Sequence, residues 1–592
     1  MGMNWLVSLA IVGGGLNAQT VCQPVLAYSP CEIVFELDAA ESKLHANPYW
    51  SVELRAEIRS PRFKTYQAHA FFDGGNRMVI RFSPTDAGTW DFRLTSNLPR
   101  FNGKEGRFEA TPSDHPGFVR VQNVRHFAYE ESKKPHLWMG DTLMDFAVMD
   151  RAAFDAAIEQ RAKNKFNHLR GYLLGTDASK AFPAGDRPNI PYFQELDKRV
   201  RAMNERGLTV DLVLGQARNQ LAKLLPDRAR RERFARFAAA RYSAYGVTWQ
   251  LVEEFESYDN GRAFCKELGT YMKLYDPMAH PRTAHAAQTS APLVNDGWLD
   301  YILYDSDNDV LNAVERQVYA KPFVNAGFSG QPAATGAAFR NKLWRAAMNG
   351  QYLTSRRAGE SVEDLKAMGA WFDLFSTTRY WDMEPYFDVD GGRAMALEGI
   401  EYMVYIEKPS GPVEVLVEKH GYEVYWINPA TGEATRPKDK DWKGEKFLGE
   451  PPSRTQDWIL FLSRDGKKEG MLKSYKFEAR PVPVQEVETV EKAVPFTLAE
   501  PVTDTISLSK PPVFEVKLKR PTRATRTMSY LITGEVTTNG QGFRVLATGA
   551  KGQLQVPEAL AKAGGAVMVL RVTGLNANGK AYAVDRVFRL VP

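Results

Sequence analysis

The stretch Val247-Thr-Trp-Gln-Leu-Val-Glu-Glu-Phe-Glu256 is the most informative part of this chain for both its fold and its chemistry. Its first six residues are mostly apolar, β-branched or aromatic, which predicts a short buried strand. Two carboxylates, Glu253 and Glu254, follow directly at the carboxyl end of that strand. Proteins built on a (β/α)8 barrel keep their reactive groups at this end of the strands. The stretch therefore predicts one strand of a barrel and makes Glu254 a candidate general acid.

Strand, loop and helix patterns alternate from about residue 136 to residue 377. Eight such units in roughly 240 residues match the size of a closed (β/α)8 barrel, or TIM barrel, which we place at residues 118–386. A doubly wound open sheet is the alternative, but its Gly-rich first turn is missing at Gly140-Asp-Thr142. The predicted strands lie at residues 136–140, 166–173, 208–214, 247–252, 282–286, 299–304, 321–326 and 350–354.

Short alternating strands on both sides of the barrel predict flanking β domains. An N-terminal β-sandwich is expected at residues 32–111, and a second all-β module at residues 393–480. The Pro- and charge-rich residues 481–512 have the composition of a linker, and residues 513–592 are typical of an Ig-like β-sandwich. The predicted fold class is multidomain, α/β plus all-β, with a central (β/α)8 TIM barrel flanked by β-sandwich domains.

Composition and charge exclude some classes of partner. The chain has 592 residues, 44% of them hydrophobic, and a formal net charge of +5. Basic and acidic residues are interspersed along it, so we predict no nucleic-acid partner. The nine histidines are scattered without metal-ligand spacing, and we predict neither a metal nor another cofactor.

Residues 1–27 are typical of a signal peptide, because a short apolar run is followed by small residues. That run is too short to span a bilayer, and no later segment is apolar enough to do so. Cleavage is expected after Ala18 or after Ala27. We therefore predict export to the periplasm or the extracellular space, without a membrane span.

Several motifs occur in a fixed order along the chain. Phe71-Phe-Asp-Gly-Gly75 lies in the predicted sandwich, and Leu137-Trp-Met-Gly-Asp-Thr142 is the predicted first barrel strand. Trp249-Gln-Leu-Val-Glu-Glu254 is similar to the pattern Trp-x-x-x-Asn-Glu at the fourth strand of retaining barrel glycosidases, and Tyr425-Trp-Ile-Asn-Pro-Ala-Thr-Gly432 lies in the second β module. Over residues 32–465 this ordered set resembles the apiosidase-like (β/α)8-barrel glycoside hydrolases, which have an N-terminal β-sandwich and a C-terminal β domain of the type named collagen-binding.

The resemblance implies roles for residues at several strand ends. Glu254 corresponds to the acid/base, and Glu253 replaces the Asn that touches the 2-hydroxyl of the sugar. Asp141, at the end of the first strand, is implied to bind substrate. The seventh strand of the relatives usually ends in a nucleophilic glutamate, but Pro322-Phe-Val-Asn-Ala-Gly327 has no carboxylate there.

Hydrolysis by such a barrel requires another carboxylate in place of the missing one. Asp305 follows the sixth predicted strand, next to the seventh, and is the preferred candidate; Asp307, Asp141 and Glu256 are alternatives. A base farther from the sugar leaves room for a water, which is the inverting arrangement. Four aromatic residues near predicted strand ends are candidates to stack on sugar rings: Tyr172, Tyr304, Tyr352 and Trp381.

Three functional hypotheses follow. The leading one is an exported glycoside hydrolase that cleaves a glycosidic bond in a polysaccharide or its side chain, with Glu254 as general acid. The second, favoured by Gly327, is a catalytically degenerate barrel that binds a polysaccharide or oligosaccharide. The third is a surface adhesin whose terminal β domains bind a protein. The distance between Glu254 and its nearest partner carboxylate separates the first two hypotheses. About 5 Å indicates a retaining pair and about 6.5–9.5 Å an inverting pair, whereas no partner within reach supports the binding protein.

Overall fold

The computed structural model describes residues 19–20, 24–183, 186–436, 441–464, 486–536 and 542–592. Most of the predicted signal peptide, residues 1–27, lies outside these ranges. No helix within the described ranges is long and apolar enough to cross a membrane.

The N-terminal domain is a sandwich of two sheets whose facing side chains form its core. Apolar and polar residues alternate along Leu54–Arg59, so that every second side chain is buried. Trp90 packs between Phe82 and Phe108, at ring-centroid distances of 5.4 and 6.0 Å. Two short helices, Ala39–Leu44 and Pro48–Ser51, follow the first strands. One sheet contains Gln19–Thr20, Cys31–Glu36, Arg77–Phe82 and Phe71–Phe72, and the other contains Val25–Leu26, Glu105–Thr111, Gly88–Ser96, Leu54–Arg59 and Thr65–His69.

Parallel strands form the central barrel, and their sheet closes on itself. Both ends of the strand order belong to one extended stretch, in which Ala284 separates Arg282–Thr283 from His285–Ala286. Arg282–Thr283 pairs with the fourth strand and His285–Ala286 with the sixth, which closes the ring. The predicted barrel flanked by β domains is confirmed. In chain order, and named first to eighth below, the barrel strands are Met139–Thr142, His168–Tyr172, Thr209–Gly215, Val247–Val252, Arg282–Thr283 with His285–Ala286, Ile302–Tyr304, Phe323–Asn325 and Tyr352–Ser355.

Helices surround the barrel strands, and several begin at a polar cap. The Asp150 carboxylate accepts a hydrogen bond from the Ala153 N–H at 3.0 Å, and Ser361 Oγ accepts one from the Asp364 N–H at 3.2 Å. Each cap satisfies a backbone N–H that has no partner within its helix. The helices of the barrel are Arg151–Lys163, Ile190–Asn204, Gln220–Leu224, Arg228–Tyr242, Gly261–Tyr275, Asp309–Val318, Gly336–Met348 and Val362–Ser376.

A hairpin of the strands Val119–Gln122 and His126–Tyr129 covers the amino-terminal end of the barrel. Phe127 on this hairpin packs against Trp138 and Tyr352, at ring-centroid distances of 5.1 and 5.2 Å. Trp138 precedes the first strand and Tyr352 begins the eighth, so both mark the amino-terminal end. The carboxyl ends of the strands are therefore the open face of the barrel.

The barrel helix Asp309–Val318 carries a buried carboxyl group, Glu315, which is 2% exposed. Its Oε1 accepts a hydrogen bond from the Thr289 hydroxyl, while its Oε2 has no hydrogen-bond partner among the described residues. Burial raises the pKa of Glu315 from 4.5 to about 8.

We expect Glu315 to make the folded protein less stable as the pH rises from about 4.5 to about 8, because in this window the folded state binds more protons than the unfolded chain. The slope for one such group is at most about 1.4 kcal/mol per pH unit. In the variant Glu315→Gln the melting temperature should fall less between these two pH values than in the wild type, as measured by scanning calorimetry. The exposed Glu205→Gln is the control. Equal falls in wild type and Glu315→Gln would contradict the assignment.

A β domain follows the barrel and packs against the helix Gly336–Met348. Arg340 binds Asp457 through Nε and Nη2 at 3.0 and 2.8 Å, and Arg345 binds Glu407 in the same two-pronged way at 2.6 and 2.7 Å. The strands of this domain are Glu384–Tyr386, Val389–Asp390, Arg393–Leu397, Glu401–Ile406, Val413–Ile427, Ala434–Thr435, Asp441–Gly449 and Trp458–Arg464.

The last β domain begins earlier in the chain than the predicted residue 513. The strands Phe496–Glu500 and Thr505–Ser507 lie within residues 481–512, which composition predicted to be a linker. Phe496, Leu498 and Ile506 are buried in the core of the last domain, so apolar side chains spaced along a Pro-rich segment form strands here. The other elements of this domain are the strands Val513–Leu518, Ser529–Glu535, Arg544–Thr548, Lys551–Gln553, Val567–Leu575 and Ala581–Val591 and the helix Glu558–Ala561.

Candidate active site

A cleft of about 420 Å³ opens at the carboxyl ends of the barrel strands. Ala326 and Gln331, which follow the seventh strand, form part of its wall. A concave site at this face is where barrel proteins bind their ligands. The other strands contribute the polar side chains of the lining, which are Thr142, Arg170, Glu253, His285, Asp305 and Arg356.

Glu254 lies two residues after the end of the fourth strand and has a left-handed backbone, at φ 46° and ψ 65°. A non-glycine residue in this region costs on the order of 1–3 kcal/mol, and such residues cluster at functional sites. Its backbone N–H donates a hydrogen bond to His285 Nδ1 at 3.3 Å. Its carboxylate is partly exposed and, among the described residues, has neither a hydrogen bond nor an ion pair. The strained backbone therefore carries a carboxyl group that is not bound by any side chain of the described residues.

His285 on the fifth strand is 3% exposed and lines the cleft. Burial, together with the charges of Arg170 and Arg356, lowers the pKa of His285 well below its usual value, so the ring is neutral. Because Nδ1 accepts the hydrogen bond from the Glu254 N–H, the proton of the neutral ring is on Nε2. His285 thereby fixes the backbone that carries Glu254.

Glu253 faces the cleft with 19% of its side chain exposed. Tyr172, on the second strand, donates a hydrogen bond from its hydroxyl to Glu253 Oε2. Burial and the neighbouring Glu253 raise the pKa of Tyr172 above its usual value, which keeps the hydroxyl protonated as a donor. Tyr172, Glu253 and Glu254 lie close enough together for both carboxylates to act on the Tyr172 hydroxyl, but of these three residues Glu253 alone lines the cleft.

Asp305 follows the sixth strand and lies in the space that a side chain at residue 327 would need. A Cβ built on Gly327 would be 1.3 Å from Asp305 Oδ1 and 2.2 Å from its Cγ. The carboxylate of Asp305 forms an ion pair with Arg356 and accepts a hydrogen bond from Gln331 Nε2 at 3.2 Å. Asp305 in this position and a side chain at residue 327 therefore exclude each other.

Arg170, on the second strand, also lines the cleft. Its Nε donates to Gln250 Oε1 at 2.6 Å, and the nearest carboxylate oxygen to Nη2 is Glu253 Oε1 at 3.6 Å. That Nη2 is buried and makes no hydrogen bond within the described chain. Arg356 likewise has a buried Nε without a hydrogen-bond partner there.

Asp141, predicted to bind substrate, does not line the cleft and is 0% exposed. Successive residues of a strand point to opposite sides, so Thr142 reaches the cleft while Asp141 faces the surrounding helices. Arg161 forms an ion pair with Asp141 at 3.0 Å, and the N–H groups of Ala358 and Gly359 donate to it at 3.3 and 3.2 Å. Its position is that of a buried anchor for the loop after the eighth strand.

We expect Asp141→Ala to destabilise the fold by about 3–5 kcal/mol, because it leaves the buried Arg161 charge without its partner. Urea unfolding followed by tryptophan fluorescence measures the loss. Asp150→Ala, which removes an exposed helix cap, is the matched control and should cost about 1 kcal/mol. A variant Asp141→Ala as stable as the wild type would refute the anchoring role.

Three predicted sugar-stacking residues lie elsewhere. Tyr304 is fully buried and donates its hydroxyl to Asn312 Oδ1 at 2.8 Å, on the outer side of the barrel. Tyr352 contacts His126 of the hairpin at the amino-terminal end, at 2.9 Å. Trp381 is 8% exposed, packs against Tyr380 and accepts a hydrogen bond from the hairpin residue Asn123. All three are therefore core residues. The prediction differs from the structure because an aromatic ring near a strand end can also pack outward or at the opposite end of the barrel.

The two remaining carboxylates also lie outside the lining of the cleft. Asp307 forms an ion pair with Lys342 at 2.6 Å, and its side chain is 47% exposed. Glu256, two residues after Glu254, accepts a hydrogen bond from the Ala287 N–H at 3.1 Å. Burial raises the pKa of Glu256 to about 7, and the neighbouring Glu254 acts in the same direction. Of the alternatives to a carboxylate at residue 327, Asp305 alone lines the cleft.

Sequence analysis did not identify the arginines of the cleft. Arg170 lies inside the second predicted strand, residues 166–173, and Arg356 follows the eighth predicted strand by two residues. The rule applied to Glu254, that polar residues at the carboxyl end of a barrel strand face the site, would have included Arg356. Across the described ranges, no group of three or more His, Cys, Asp or Glu side chains is arranged to hold a metal ion.

Solved structures share this architecture. A candidate glycoside hydrolase from Bacteroides vulgatus matches with a TM-score of 0.61 and 16% identity, over 74% of this chain and 99% of its own. A glycoside hydrolase family 5 protein from the same species matches with a TM-score of 0.52 and 14% identity, over 61% of this chain and 95% of its own. At these identities the likeness shows the fold alone. No curated protein sequence matches this chain significantly.

Two family models match parts of the sequence. Residues 25–97 match a domain of unknown function, DUF5060, which corresponds to most of the N-terminal sandwich. Residues 121–348 match the model described as "Apiosidase-like, catalytic domain", which covers the barrel from its amino-terminal hairpin to the helix before the eighth strand. The resemblance predicted from the ordered motifs is therefore confirmed, and the barrel of this chain is similar to the apiosidase-like catalytic domain.

Proposed function

We propose that this protein is an exported glycoside hydrolase that cleaves a glycosidic bond in a polysaccharide or its side chain. Glu254 is the general acid that protonates the departing oxygen, and Asp305 is the base that accepts a proton from the attacking water. The match to the apiosidase-like catalytic domain supports a glycosidase. The assignment of the two carboxylates is supported by the position of Asp305 beside Gly327.

The position of Asp305 favours inversion. From standard bond lengths, a glutamate at residue 327 would carry its carboxylate about 3–4 Å beyond its Cβ. Asp305 Oδ1 instead lies 1.3 Å from where that Cβ would be, so the carboxylate is set back from the reach of a strand-seven glutamate. Retaining pairs of carboxylates lie about 5–5.5 Å apart and inverting pairs about 6.5–9.5 Å apart, the difference being room for one water. We infer that a carboxylate set back in this way leaves room for this water.

Glu254 suits the acid role because its carboxyl group makes neither a hydrogen bond nor an ion pair with a described residue. Arg356 links the two carboxylates, since it forms an ion pair with Asp305 while Glu253 and Glu254 are among the charges that act on it. In the proposed reaction, the C–O bond to the departing group breaks as Glu254 transfers its proton to that oxygen. A water attacks the opposite face of the anomeric carbon and loses a proton to Asp305.

A binding role is the second candidate, and one observation favours it. Asp305 is engaged by both Arg356 and Gln331, and a carboxylate held by a guanidinium is a weaker base than a free one. In that case the cleft binds a glycan and does not cleave it.

Export is proposed from the composition of residues 1–27, and the sandwich favours one of the two cleavage sites. Val25–Leu26 pairs with the strand Glu105–Thr111, and the Ala27 N–H donates to Thr111 O at 2.9 Å. Cleavage after Ala27 would remove this strand, whereas cleavage after Ala18 keeps it. Intact-mass measurement of the secreted protein distinguishes the two, and a mature chain beginning at residue 28 would refute the preference.

Release of new reducing ends from a panel of plant and microbial polysaccharides tests the proposal. We expect at least one polysaccharide to be cleaved by the wild type and to be left intact by Glu254→Gln. If affinity electrophoresis shows that a polysaccharide of the panel is bound but none is cleaved, the binding role is correct and the hydrolase role is refuted.

A further inference from the structure

We propose that the glycan bound in the cleft carries a carboxylate, as a uronic acid residue does, and that Arg170 and Arg356 bind this group beside Gly327. The inference rests on the proposed carbohydrate ligand but not on its hydrolysis.

Arg170 supplies the first observation. It is 4% exposed and lines the cleft, yet its Nη2 makes no hydrogen bond in the described chain. Glu253 Oε1, at 3.6 Å, forms an ion pair with Nη2 but is too far for a hydrogen bond. A buried N–H group of a charged side chain is costly to leave unpaired, so the empty position points to an anionic acceptor that comes from outside the chain.

Arg356 supplies the second observation. Its Nη2 contacts Asp305, but its Nε is buried and lacks a hydrogen-bond partner in the described ranges. Burial and the like charge of Arg170 lower the pKa of Arg356. Two guanidinium groups close enough to act on each other therefore share one cleft, and an anion between them would relieve the repulsion.

The unused donors explain why a carboxylate fits. The carboxylate beside Gly327, that of Asp305, is already engaged by Arg356 Nη2 and by Gln331. Guanidinium groups bind planar carboxylates in a two-pronged geometry that fixes orientation as well as charge. A sugar whose ring carbon bears a carboxylate supplies an acceptor for Arg170 Nη2 and Arg356 Nε, which lack one in the described chain.

The arginines of the lining differ in their free donors. The lining contains Arg170, Arg356 and Arg357 together with the carboxylates of Glu253 and Asp305. Arg357 is paired with Glu360, and its side chain is 67% exposed, which leaves Arg170 and Arg356 as the cations with unused donors.

Isothermal titration calorimetry on the full-length protein tests the inference. The ligands are the methyl glycosides of glucuronate, galacturonate and mannuronate, with methyl glucoside, galactoside and mannoside as neutral parents. We expect at least one uronoside to bind about tenfold or more tightly than its parent, with a difference that shrinks as sodium chloride is added. The same difference should be lost in Arg356→Gln.

The control is Arg107→Gln, which makes the same charge change on an exposed arginine of the N-terminal sandwich. It should keep the preference. Arg170→Gln is a second test, used only if its circular dichroism and melting temperature match the wild type. The inference is overturned if no uronoside binds more tightly than its parent, if Arg356→Gln keeps the preference, or if a sugar sulfate binds more tightly than every uronoside.

These outcomes separate the inference from the proposed hydrolase activity. Hydrolysis of neutral glycans without any preference for uronosides overturns the inference and leaves the hydrolase role in place. A preference for uronosides without hydrolysis of any polysaccharide supports the arginine site and refutes the hydrolase role.

Discussion

Glu254→Gln is expected to reduce hydrolysis of an unactivated glycoside by about 10²–10⁴-fold, because the amide has no proton to give to the departing oxygen. The loss should appear in kcat, with little change in KM, since the amide keeps the size of the side chain and the carboxylate makes neither a hydrogen bond nor an ion pair with a described residue. Glycosides with an activated phenolate leaving group need little proton transfer, so the same variant should cleave them at closer to the wild-type rate. Initial rates on both types of substrate measure this difference.

The matched control is Glu205→Gln, which makes the same change on an exposed glutamate at the end of the helix Ile190–Asn204. Its rates should equal those of the wild type. A wild-type turnover of the unactivated glycoside by Glu254→Gln would end the assignment of Glu254 as the acid. An equal loss on both types of substrate would point to a binding role for this side chain.

Asp305→Ala is expected to cause a loss of similar size, about 10²–10⁴-fold, because the attacking water loses its base. Asp307→Ala is the control from the same loop. Its carboxylate pairs with Lys342 and does not line the cleft, so its effect should be no more than a few-fold. If Asp307→Ala reduces hydrolysis strongly and Asp305→Ala does not, the role of the base has been assigned to the wrong carboxylate.

Residue 327 provides a sharper test of the same claim. Gly327→Glu alone should impair folding or activity, because its Cβ would lie 1.3 Å from Asp305 Oδ1. The double change Gly327→Glu with Asp305→Gly removes the overlap and returns a carboxylate to the seventh strand. We expect the double variant to be more stable in thermal unfolding than Gly327→Glu alone. Equal stability of the two would show that the carboxylate of Asp305 does not take this position in solution.

The strands, helices and order of the barrel follow from sequence patterns because each depends on local periodicity and on apolar runs of the right length. Trp249 and its neighbours predict a buried strand wherever the strand lies in the ring. The carboxyl ends of parallel strands meet at one face, so Glu253 and Glu254 could also be placed. These inferences need only the order of elements along the chain.

Side-chain direction and steric exclusion are not local, and here the sequence predictions differ from the structure. Asp141 and Tyr304 stand at strand ends, but the alternation of the strand turns both toward the helices, where Arg161 and Asn312 bind them. Asp305 and Gly327 are separated by a helix and a strand, so their competition for one space is visible only in three dimensions. Arg170 lies inside a predicted strand and not at its end, and its role as a ligand group depends on a partner that the described chain does not supply.

We infer that Asp305, set back beside Gly327, makes this barrel an inverting hydrolase with Glu254 as its acid. Proton NMR, recorded in the first minutes of cleavage of a polysaccharide from the panel, identifies the anomer released before mutarotation. We expect the first-formed sugar to have the anomeric configuration opposite to that of the bond cleaved. Initial release of the sugar with the configuration of the original bond would contradict it.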